Sequence, residues 1–75
     1  MSSNFYNKVF IACKPFLGEH TESFLKRQIE WHLSKNPNTL APSDKEDLAQ
    51  WIMISAALII GKDKAKELYD KVMNL

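Results

Sequence analysis

The chain has 75 residues, ten of them basic and nine acidic, with two histidines and one cysteine. A domain of this size buries only about 60–65% of its unfolded surface, so it is marginal without disulfides, metals or oligomerisation. The lone Cys13 excludes an internal disulfide. The near-even charge argues against a protein that holds nucleic acid mainly through its phosphates.

Met1-Ser2-Ser3-Asn4 carries neither the positive region nor the apolar core of a signal peptide. Ser2 is not the glycine that myristoylation needs, and Met73-Asn74-Leu75 is no prenylation box. The expectation is one cytoplasmic domain over residues 1–75, with no membrane association. Cys13 reads as a small buried hydrophobe rather than a reactive thiol.

The pattern predicts an all-α, compact four-helix bundle-like domain, with helices at about 4–14, 19–34, 44–60 and 63–74. In the first, Phe5, Tyr6, Val9, Phe10 and Cys13 form a stripe of 3.6-residue spacing. Ser3 or Asn4 caps it, and Pro15 is expected to stop or kink it at Lys14. Ile11 lies off the stripe.

In the second helix Phe24, Leu25 and Ile29 mark the inward side, with Trp31 at one edge. Thr21, Gln28 and His32 fall on that same inward face, a polar seam in an apolar surface. The following stretch, Lys35 to Pro42, has two prolines and two asparagines and reads as an ordered connection pinned by Leu40.

The third helix is the centre of the design. Leu48, Trp51, Ile52, Ser55, Leu58 and Ile59 make one broad face, and Ala49, Met53, Ala56, Ala57 and Ile60 make the other. Apolar all round, it should be enclosed, yet it is too short to span a bilayer, which takes roughly 18 or more apolar residues. Ser43 and Glu46 have capping-box spacing at its start, and Gly61 suits a left-handed cap at its end. The last helix presents Ala65, Leu68, Tyr69, Val72 and Leu75, with Lys66–Asp70 and Glu67–Lys71 as exposed i,i+4 pairs.

Chemistry-bearing motifs are thin. His20 and His32 are twelve residues apart in the sequence, with no His-x-x-x-His or Glu-x-x-His pair to set two metal ligands on one face. Gly18 and Gly61 cannot make a phosphate loop. No cofactor and no catalytic residue is expected. Ala57 and Gly61 match two positions of the helix-turn-helix pattern, but Lys62, Glu67 and Asp70 stand where that pattern needs apolar residues.

Two candidate surfaces remain. Small and flexible side chains at Ala49, Met53, Ala56, Ala57 and Ile60 suit a partner interface, with a second copy or another protein, and with Lys26, Arg27 and Glu30 as rim charges. Alternatively, Thr21, Gln28 and His32 line a small-ligand or regulatory site, or form a structural network. The expected function is a small helical protein–protein interaction module, self-associating as a homodimer and without catalysis. The alternative is a ligand-binding domain built on the seam.

Overall fold

The computed structural model describes residues 3–75; Met1 and Ser2, which bear on the leader and acylation readings, lie outside them. Among the described residues the regular structure is all helical, with no strand. The four-helix bundle expected from the sequence is not formed. Three helices make the frame: α1 (Asn4–Leu17), α3 (Lys45–Ile60) and α4 (Lys62–Met73). The segment between α1 and α3 is composite. It comprises a 3₁₀ turn (Gly18–His20), the two-turn helix α2 (Thr21–Arg27) and a π-helical turn (Gln28–His32).

Helix α1 starts where the Ser3 hydroxyl accepts the Tyr6 N–H at 3.0 Å. The Ser3 N–H in turn bonds the Pro37 carbonyl at 3.0 Å, tying this end to the connection before α3. Contrary to expectation, α1 runs through Pro15 to Leu17. An interior proline costs about 3 kcal/mol, but here it removes a single bond within a turn of the helix end. Continuing the helix buries Leu17, worth about 2 kcal/mol, and half-buries Phe16 under the Lys71 ammonium, 5.5 Å from the ring centroid. Burial wins. The chain then turns at Gly18, whose φ of 59° with ψ of −132° suits glycine.

Ser34 closes the π turn at a φ of 55°, while the Lys35 N–H reaches back to the Ile29 carbonyl at 3.1 Å. That bond spans one residue more than the 6→1 closure of a Schellman motif, and the positive-φ position is held by a serine rather than the usual glycine. The connection is ordered as expected: Asn36 Oδ1 accepts the N–H groups of Asn38 and Thr39, and Leu40 is buried. Its end differs from the prediction. The Ser43–Glu46 capping box is absent, and a 3₁₀ turn (Pro42–Asp44) precedes α3 instead. Asp44 does the pinning, accepting the Ala41 N–H at 3.0 Å and the Lys35 ammonium on both oxygens at 2.8 Å. Partial burial raises the Asp44 carboxyl, but the hydrogen bonds from Lys35 and Ala41 and the Lys35 charge outweigh it and hold it below the usual value.

Helices α3 and α4 form the most extensive helix pair, joined by Gly61 alone. Gly61 N–H completes α3 on the Ala57 carbonyl at 3.2 Å, and its own carbonyl accepts the Ala65 N–H at 3.0 Å to begin α4. Its φ is positive as predicted, at 88°. Its ψ of 162° is extended rather than left-handed helical, in a region reached essentially by glycine alone. On α4, Ala65, Leu68 and Val72 are buried; Leu75, placed on the same face by the pattern, is exposed. Lys66 pairs with Asp70 at 3.7 Å, whereas Lys71 lies over Phe16 rather than on Glu67, which faces Lys64 at 3.5 Å.

Candidate functional site

The central helix is not enclosed. Leu48, Ala49, Ile52 and Ala56 are fully buried, while Ile54, Leu58 and Ile59 are 54%, 89% and 63% exposed. The face expected to lie in the core is therefore covered only at its N-terminal half, by Leu48 and Ile52 meeting the core. Its C-terminal half, Ser55, Leu58 and Ile59, opens to solvent. From the composite segment, the π turn touches α3 near Trp51 and Ser55.

Two contacts define that touch. The Ser55 hydroxyl donates to Gln28 Oε1 at 3.0 Å. The His32 imidazole stacks on the Trp51 indole, with centroids 3.8 Å apart and planes 9° from parallel. Residues 28 and 32 thus pair with 55 and 51, an antiparallel arrangement. Beyond Gln28 the two elements diverge, leaving a groove of about 700 Å³.

The expected partner face is corrected. Ala49 and Ala56 are fully buried, and Met53, Ala57 and Ile60 are half-buried against the core. Small residues on this side allow close helix approach within the chain, so Ala49 and Ala56 offer nothing to a partner. The unpartnered apolar residues are instead Ile54 and Leu58, at i and i+4, with Ile59 beside them; Trp51, one turn earlier, is half-buried under the His32 ring. Of the expected rim charges, only Arg27 lines the groove; Lys26 and Glu30 border a separate cleft beside Tyr6 and Asn36. Trp31, placed at the core edge by the pattern, is 77% exposed.

The polar seam divides. Thr21 is buried and donates to the Gly18 carbonyl at 2.6 Å, which makes it a structural fastening of the turn into α2. Gln28 is 2% exposed and lies at the base of the groove beside Ser55. His32 is exposed rather than inward, laid flat on Trp51. Sequence reasoning missed the partner of Gln28, although Ser55 is the one hydroxyl in an otherwise apolar run.

The groove wall from the composite segment carries Phe24, with Phe16 from the end of α1; the facing wall is Leu58 and Ile59. Its ionisable side chains are His20, Arg27 and His32, all basic. Cys13 lies elsewhere, fully buried, where burial pushes its thiol up to about 12 and the Lys71 charge only partly counters the effect. Nucleophilic or metal-binding thiolate chemistry is thereby disfavoured at that position. Among the described residues no three His, Cys, Asp or Glu side chains group as metal ligands, and no helix is long and apolar enough to cross a membrane.

The fold and surface define a small all-α protein with an apolar stripe on α3 beside a basic-rimmed groove. No family model, no curated protein and no solved structure matches the chain.

Proposed function

We propose that the protein is a protein–protein interaction module that self-associates by burying the α3 stripe, acting through surface rather than catalysis. The observation that carries this reading is the exposure of Ile54, Leu58 and Ile59 along one helix of a chain too small for a large core. A two-fold pair buries the same stripe from both copies. Run antiparallel, it brings exposed Glu46 and Asp47, at one end of α3, near Lys62 of the partner.

Magnitudes set the strength. Burying six such side chains contributes about 10 kcal/mol at roughly 1.5–2 kcal/mol each. Lost translational and rotational freedom opposes this by at least about 4 kcal/mol, leaving a dissociation constant of about 50 μM or weaker. Sedimentation equilibrium up to about millimolar protein covers that range. A monomer–dimer equilibrium that Ile54→Lys abolishes, with the melting temperature kept, supports the reading. A monomer at every concentration contradicts it.

A second reading has its own observation: the Gln28–Ser55 hydrogen bond lies beneath an open groove of a size that small ligands occupy, roughly 300–1,000 Å³. Ile54 does not line this groove, so the stripe and the groove are separable by substitution.

A further inference from the structure

From the groove we infer a ligand class: a lipophilic anion, an aliphatic or aromatic body ending in a carboxylate. The inference rests on the second reading above and names what that site takes. Three observations carry it, and they concern different properties of the groove.

The first is charge. The whole chain is almost evenly balanced, ten basic residues against nine acidic. The groove is not: each ionisable side chain that lines it, His20, Arg27 and His32, is basic. Arg27 is charged at every working pH and presents the planar fork that matches a carboxylate.

The second is an unused donor. Gln28 is 2% exposed, and its carbonyl oxygen already accepts from Ser55. The amide nitrogen of the same side chain makes no hydrogen bond among the described residues, although the side chain borders the groove. No buried side-chain donor is left without a partner among the described residues, so this N–H₂ group reaches solvent and is open to an acceptor. An acceptor-only group in the groove, which Arg27 also lines, takes a hydrogen bond from the amide.

The third is the makeup of the walls. Phe16, Leu17, Phe24, Leu58 and Ile59 supply apolar surface for an aliphatic or aromatic body, among the basic His20, Arg27 and His32 that suit an anionic head. π turns occur often at functional sites, and this one sets both Gln28 and His32.

Decanoate, decan-1-ol and decylammonium, all below their aggregation concentrations, are the probes. Each is titrated into the full chain at about 20 μM protein, below the self-association range. Amide NMR shifts locate the binding and isothermal calorimetry measures it. Decanoate should saturate at one per chain, with shifts centred on Phe24, Gln28 and Leu58. It should bind at least about tenfold more tightly than the alcohol or the amine, the amount of one charge-assisted contact. Arg27→Gln should remove that advantage and leave decanol binding unchanged, and Arg27→Lys should keep part of it.

Equal binding of all three probes in the groove would overturn the anion class and leave a general apolar site. Saturable decanoate binding away from the groove, or no saturable binding, would overturn the class and the site together. An Arg27→Gln chain with a native amide spectrum and undiminished decanoate affinity would also overturn it.

Discussion

The Ser55 hydroxyl donates to Gln28 Oε1 across 3.0 Å, linking the π turn to the central helix. Gln28 is almost wholly buried, so its oxygen depends on that donor. Ser55→Ala should therefore lower stability by about 1 kcal/mol, the smaller end of the penalty for an orphaned buried acceptor because groove water can partly replace the hydroxyl. Gln28→Leu removes the buried polar group itself and should stay within about 0.5 kcal/mol of the parent. Urea unfolding compares the two. A larger loss for Gln28→Leu than for Ser55→Ala would mean that the amide holds the fold through other contacts.

Gly61 and Ser34 both stand at positive φ, so Gly61→Ala and Ser34→Gly should change stability in opposite directions. A Cβ built on Gly61 meets nothing within 4 Å, so Gly61→Ala acts only through the backbone. At a φ of 88° and ψ of 162° that strain should cost about 1–3 kcal/mol. Ser34 holds φ at 55°, where a side-chain-bearing residue loses about 1–2 kcal/mol and glycine loses about 0.5–1 kcal/mol of chain entropy instead. Ser34→Gly should accordingly stabilise by about 0.5 kcal/mol. Thermal or urea unfolding of both variants reads the contrast.

Helix positions were largely legible because caps and apolar spacing agreed. Ser3 caps α1, Leu40 pins the connection, and Gly61 ends α3 at the predicted place. What periodicity could not reveal was a change of period. The pattern at Thr21, Phe24, Leu25, Gln28 and Ile29 is regular and all five are buried, but the turn that follows is π-helical and puts His32 outside. The two faces of α3 were similarly apolar in sequence, and the core takes a strip between them: Leu48 and Ile52 from one, Ala49 and Ala56 from the other. That choice is made by packing and is not visible in the pattern.

The Cys13 thiol gives the chain an alkaline weakness. Its unfolded value is near 9 and burial raises the folded value to about 12. Between these, the native state holds a proton that the unfolded state has lost, so stability falls as pH rises. The contribution is fully present below about pH 9 and declines above it. From about pH 8 to pH 10 the parent should lose about 1.4 kcal/mol more than Cys13→Val. Urea midpoints at the two pH values measure the difference. Parallel losses in parent and variant would show that the thiol does not titrate with unfolding.

The central claim is that α3 meets a second copy through Ile54, Leu58 and Ile59. Amide NMR spectra recorded from about millimolar protein down to about 20 μM test it most directly, because dilution shifts identify the surface by residue. The account predicts concentration-dependent shifts concentrated at Ile54, Leu58 and Ile59, and their loss in Ile54→Lys. Shifts centred on Met53, Ala57 and Ile60 instead, or none at any concentration, would contradict it.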